Sequence, residues 1–140
     1  METNSNNDGE SRRSQPESLR GRALRASFSV NDLEKSLAWY RDVLGFTVDR
    51  EHERDGKVMA VSLKAGVVEI LIGRDDGAKG ERVKGQGCSF MITTAQNVDE
   101  IAERVKAAGS RLETEPADTP WGARVFRVKD PDGFLFVISS

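Results

Sequence analysis

The 140-residue sequence is poor in the side chains that build covalent and metal-centred sites: it holds one cysteine, Cys88, and one histidine, His52. A single thiol excludes an internal disulfide framework and cysteine-based zinc sites. Long apolar runs are also missing. A run such as Gly66-Val67-Val68-Glu69-Ile70-Leu71-Ile72 is strand-sized and broken by a charge, far short of the roughly 20 apolar residues of a spanning helix, so no membrane partner is expected. The start has no basic stretch followed by an apolar one, and a cytoplasmic location is the expectation. Nor does one charge dominate. The 21 Lys and Arg against 23 Asp and Glu leave −2, with the bases spread along the chain, so no nucleic-acid partner is expected. What is present, 37% hydrophobic and 31% charged residues, suits one soluble domain or two very small modules fused into one.

Residues 1–22 are nearly devoid of apolar side chains and read as a disordered tail. From residue 23 the pattern changes. Arg25 to Val30 alternates with period two, as a half-buried strand does. Asn31-Asp32 offers an N-cap, with Glu34 at capping-box spacing from Asn31. Leu33, Leu37, Tyr40 and Leu44 form a helical stripe that Gly45 ends. Strands are predicted from Phe46, from Val58 and from Val67, with turns at Asp55-Gly56 and Ala65-Gly66. After a polar linker over 74–84 the order repeats. Cys88, Phe90 and Ile92 alternate in a strand, and Val98, Ile101, Val105 and Ala108 make a helical stripe. A short strand at Leu112, one over 123–128 and one over 134–138 follow, the last after Asp130-Pro131-Asp132-Gly133. Two copies at a period of roughly 60 residues form an internal repeat. The predicted class is α+β: two βαβββ modules, 23–73 and 85–140, that form a cupped mixed or antiparallel sheet. Ser27, Ser29, Ser89 and Met91 alternate with the apolar positions and are expected to face the cup.

Three segments carry a family likeness: Val30-Asn31-Asp32-Leu33-Glu34-Lys35-Ser36-Leu37-Ala38-Trp39-Tyr40, then Leu44-Gly45-Phe46, then Asp130-Pro131-Asp132-Gly133. On these the chain, over about residues 23 to 140, resembles the vicinal oxygen chelate superfamily of glyoxalases, bleomycin-resistance proteins and extradiol dioxygenases. The resemblance implies a homodimer, and in enzymatic members a divalent metal held by four His or Glu ligands. Those four positions fall here on Arg25, Glu69, Gly87 and Val137. Only Glu69 can donate a lone pair to a cation, since an arginine stays protonated and glycine and valine have no donor. His52, between Glu51 and Glu53 at a polar strand end, lies away from them.

The expectation is therefore no metal, no cofactor and no assigned catalytic residue. The proposed ligand-binding set is Arg25, Ser27, Ser29, Glu69, Ser89, Met91, Trp121 and Val137. Arg25 and Glu69 pair either to orient a polar ligand group or to satisfy a buried carboxylate. Trp121 either stacks on a ligand or anchors its loop. Cys88 is expected on the helix-covered face as a small hydrophobe, and Asp130 and Asp132 as turn formers. The leading function is metal-independent binding of a small molecule, similar to the bleomycin-resistance branch. The acidic balance is compatible with a cationic ligand. The alternatives are a metal-dependent lyase, isomerase or dioxygenase with atypical ligands, and a scaffold or regulatory module whose cup is filled by its own side chains.

Overall fold

Alternation sets the first strand. Phe28 and Val30 turn to one side and Ser27 and Ser29 to the other. Strand β1 runs Ala26–Val30 in the computed structural model, which describes residues 19–140. Residues 1–18, most of the expected tail, lie outside the described residues, and residues 19–25 have no regular structure.

Helix α1 (Leu33–Ala38) starts at Asp32, whose carboxylate accepts from the Lys35 N–H at 3.1 Å. The expected capping box does not form, because Glu34 turns outward to pair with Arg74. A π turn, Trp39–Val43, extends the helix, its Leu44 N–H reaching the Trp39 carbonyl at 3.2 Å. The stripe spacing predicts plain α-helix up to Gly45. A π turn takes one extra residue into the hydrogen-bonded ring, a change that apolar spacing does not register.

Strands β2 (Thr47–Arg54), β3 (Lys57–Ala65) and β4 (Val68–Arg74) complete the first unit. Asp55 and Gly56 take φ of 52° and 77° in the β2–β3 turn, the left-handed region that a tight hairpin requires. The second unit repeats the order: β5 (Ser89–Thr93), α2 (Val98–Ala107), β6 (Leu112–Asp118), β7 (Arg124–Lys129) and β8 (Leu135–Ser139). Two four-stranded sheets result, ordered β1-β4-β3-β2 and β5-β8-β7-β6. The β1–β4 and β5–β8 pairs are parallel and the rest antiparallel. This is the α+β arrangement of two βαβββ units that the sequence predicts.

Two local expectations fail. Cys88 is exposed rather than helix-covered: pairing with β8 begins only at Ser89, and the Cys88 N–H instead bonds to the Gly85 carbonyl at 3.4 Å. The strand at Leu112 is seven residues long rather than short. Its edge position tolerates Pro116, which has no N–H for a ladder.

One face of each sheet is covered by its helix, and an aromatic seam joins the two units on that side. Phe28 of β1 lies 5.4 Å from Phe90 of β5 and 4.5 Å from Phe134, ring centre to ring centre. The seam closes at Asp130. Its Oδ2 accepts from the Tyr40 hydroxyl at 2.7 Å, and its Oδ1 from the N–H groups of Asp132 and Phe134 at 2.9 and 2.8 Å. Asp132 accepts from the backbone and side-chain nitrogens of Asn31 at 2.9 and 3.3 Å. The Asp-Pro-Asp-Gly turn is thus also the bolt between the units.

Two stability effects arise here. Ser36 is buried in the same core, and its hydroxyl has no hydrogen-bond partner among the described residues. Ser36→Ala removes that atom and installs a better helix former, so stability should rise by about 1 kcal/mol. The readout is a higher urea midpoint at unchanged slope, and a lower midpoint would mean that the hydroxyl is bonded in solution.

Asp75 ties down residues 75–84. Lys84 Nζ and Arg82 Nη2 reach its Oδ2 at 2.5 and 2.8 Å, and the Gly77 N–H its Oδ1 at 2.9 Å. These bonds, Lys84 first, hold its carboxyl well below the usual range. The unfolded chain therefore takes up this proton first as pH falls. The stabilisation is whole above about pH 4 and fades below it. Thermal unfolding between pH 7 and pH 3 should show the native chain losing more stability below that point than Asp75→Asn. Parallel profiles would remove Asp75 from the acid response.

Candidate ligand-binding site

Each sheet keeps one face free of helix, and strand register assigns its residues. On the first sheet Ser27, Leu71, Ser62 and Arg50 form one cross-strand row, and Ser29, Gly73, Ala60 and His52 the next. Glu69 and Lys64 lie opposite each other in a third, with Arg25 one residue ahead of β1. Arg25 Nε stands 3.7 Å from Glu69 Oε1, both side chains partly exposed. The pair is therefore a solvated contact and not a buried ion pair.

His52 is not remote from this face. It lies inside β2, half-buried, with Nε2 3.1 Å from the Ser62 hydroxyl. Ser62 itself is buried. The polar run Glu51-His52-Glu53 hides this, because β2 shifts register between Val48 and Arg50 and again after His52, and bulges re-aim side chains.

On the second sheet Met91, Val137, Arg127 and Thr114 share a row, as do Ser89, Leu135 and Lys129. Met91 is 60% exposed and Val137 buried beneath its neighbours. Ser89, Leu135 and Lys129 also line an open cavity of about 600 Å³ together with residues 83–88 and Gly133. Trp121 stands on the β6–β7 connection. Pro120 and Trp121 occupy the middle of a turn closed by the Gly122 N–H and the Thr119 carbonyl at 3.1 Å, and three Thr119–Ala123 bonds of 2.7, 3.0 and 3.1 Å brace its base. A proline at that place presets the turn, and it holds the indole 71% exposed.

The expected residues thus fall into three groups rather than one pocket: Arg25, Glu69, Ser27 and Ser29 on the first sheet, Ser89, Met91 and Val137 on the second, and Trp121 on its turn. The remaining two cavities described lie elsewhere. One, of about 470 Å³, is on the helix side between Leu44-Gly45-Phe46, the Gly66 turn and residues 92–96. The other, of about 670 Å³, runs along residues 75–83.

Of Arg25, Glu69, Gly87 and Val137, only Glu69 offers a ligand, and the guanidinium of Arg25 already stands against it. Among the described residues no three His, Cys, Asp or Glu side chains gather into a ligand group.

Residues 22–138 match the profile of the Glyoxalase/Bleomycin resistance protein/Dioxygenase superfamily. A lactoylglutathione lyase of Arabidopsis thaliana is 28% identical over 123 residues, which are 82% of this chain and 42% of that protein. The chain spans less than half the length of the plant lyases that it matches. A bleomycin resistance protein of Geobacillus stearothermophilus is 29% identical over 117 residues, 76% of this chain and 86% of that one. The solved structure of a superfamily member from Sphaerobacter thermophilus has the same fold, with TM-score 0.72 at 24% identity over 86% of this chain and 97% of that one. Among the described residues no helix is long and apolar enough to cross a membrane.

Proposed function

The chain belongs to the Glyoxalase/Bleomycin resistance protein/Dioxygenase superfamily, and within it we propose a metal-independent protein that binds a small molecule and sequesters it without chemistry. One observation carries the reading: the faces that the two sheets leave uncovered carry small or adaptable side chains, Ser27, Ser29, Gly73 and Ala60 on the first and Ser89 and Met91 on the second, while the donor set for a metal is reduced to Glu69. Small side chains leave room, and methionine adapts to a ligand's shape. The similarity to a bleomycin resistance protein points the same way.

Trp121, exposed on a braced turn, supplies a flat apolar surface at low entropic cost. A homodimer accompanies the proposal, since a second copy would cover Met91 and the half-exposed Leu135. A reducing cytoplasm suits the exposed free thiol of Cys88.

The similarity to lactoylglutathione lyases favours the competing reading, a metal-dependent lyase, isomerase or dioxygenase. Metal content separates the two. Protein purified with added nickel, zinc, iron or manganese should retain none stoichiometrically, and a thermal-shift screen of small organic molecules should give occupancy-dependent stabilisation. For a hit from that screen, Trp121→Ala should weaken binding about tenfold, about 1.4 kcal/mol. One metal per chain that is lost in Glu69→Ala would overturn the proposal, as would a screen without hits.

A further inference from the structure

The uncovered faces differ in charge from the chain as a whole. The sequence carries −2 overall, yet on both faces the acids are already taken up. On the first sheet Glu69 faces Arg25 at 3.7 Å, and Asp49 faces Lys64 at 3.4 Å. On the second, Glu113 faces Lys129 at 3.4 Å. Guanidinium groups are left over on both. Arg50, in the row with Ser62, Leu71 and Ser27, and Arg127, in the row with Val137 and Met91, make no ion pair among the described residues.

Arg50 reaches this face because of the irregularity in β2. Val48 lies opposite Leu63, a core residue, and Arg50 opposite Ser62, so two steps along β2 answer one step along β3. Regular alternation would return Arg50 to the side of Val48. The shift instead places it on the uncovered face, where Asp49 also meets Lys64.

We propose that the uncovered face of the first sheet binds an oxyanion group, a carboxylate or a phosphate monoester on a small organic molecule, through Arg50, with the ligand's apolar body over Leu71. This names the ligand class of the small-molecule reading and rests on it. A guanidinium presents parallel N–H donors that match a carboxylate or phosphate edge to edge. Beside it, the Ser62–His52 pair adds a polar edge: the bond between them orients the imidazole, and Ser62 is buried. Space is available next to this edge. An added Cβ at Gly73 would reach 3.8 Å from the Ala60 side chain, so these two residues together form a shallow floor with nothing taller than a methyl group. A cationic ligand would have to sit against the unpaired guanidinium of Arg50. Apolar contact with Leu71 excludes small inorganic anions as preferred occupants, since they cannot use it.

Three probes that share a phenyl ring test this on the full chain: benzoate, phenyl phosphate and benzylamine, titrated while backbone amide resonances are recorded. Benzoate or phenyl phosphate should shift amides of β2, β3 and β4, and the better of the two identifies the oxyanion. Arg50→Gln should weaken that binding by about tenfold or more, and Arg50→Lys by less, because a point charge keeps attraction and loses the paired donors. Binding should also weaken as salt rises. Anion binding unchanged in Arg50→Gln would overturn the proposal. Benzylamine shifting the same amides more strongly would overturn it too, and would leave small-molecule binding in place. Silence of all three probes on these strands likewise overturns the proposal, and the thermal-shift screen then decides separately whether any small molecule is bound.

Discussion

Asp130→Ala should lower the stability of the folded chain by about 3–5 kcal/mol. Asp130 is buried and accepts three hydrogen bonds, from the Tyr40 hydroxyl and from the N–H groups of Asp132 and Phe134. Alanine leaves all three donors without a partner, and each orphan in an apolar setting costs about 1–3 kcal/mol. Asp130→Asn separates the contributions. Its remaining carbonyl oxygen can still accept from both backbone donors, while its amide cannot accept from Tyr40, so the loss should be about 1–2 kcal/mol. Tyr40→Phe keeps the ring in place and removes the same bond from the other side, with a loss in that range. A double-mutant cycle between Tyr40→Phe and Asp130→Asn should then show clear coupling. Urea unfolding reads all of these as midpoint shifts at constant slope. A loss below about 1 kcal/mol for Asp130→Ala would mean that water satisfies these donors and that the bolt is not structural.

This bolt also shows where the sequence stops speaking. Elements governed by near neighbours were legible: the alternation of Phe28 with Ser27 and Ser29, the Asp55-Gly56 turn, and the stripe of Val98, Ile101 and Val105 that became α2. So was the repeat, because each copy spells the same order of periods. The Asp-Pro-Asp-Gly segment was legible as a turn for the same reason. Its second role was not, since Tyr40 and Asp130 lie 90 residues apart and no local pattern records which distant hydroxyl a buried carboxylate will meet. That His52 shares the uncovered face was illegible for a different reason. Every residue of β2 is exposed except His52, and Val48 alone is apolar, so alternation has no apolar beat to follow, and a register shift moves side chains between faces without a trace in composition. Cys88 failed by one residue: the strand begins at Ser89, and a rule of alternation cannot say where pairing starts.

Phe136→Ala should have an effect of comparable size, about 3–5 kcal/mol, and its form is as informative as its size. The side chain is 1% exposed. Its ring centre lies 5.3 Å from Phe90 in its own unit, and 5.6, 6.4 and 6.5 Å from Tyr40, Trp39 and Phe28 in the other. Truncation opens a cavity that both units border, and the aromatic packing around it cannot collapse without moving β1 against β5. If the seam makes the two units one cooperative body, the variant still unfolds in a single transition at a lower midpoint. Amide exchange should then accelerate equally in β4 and in β8. Phe136→Leu, which restores most of the volume and keeps no ring edge for Tyr40, should recover more than half of the loss. Two separate transitions, or faster exchange confined to β8, would mean that each sheet is held by its own helix and that the seam only aligns them. The ligand proposal would stand in either case, because Arg50, Ser62 and Leu71 share one row of the first sheet and need no fixed relation to the second.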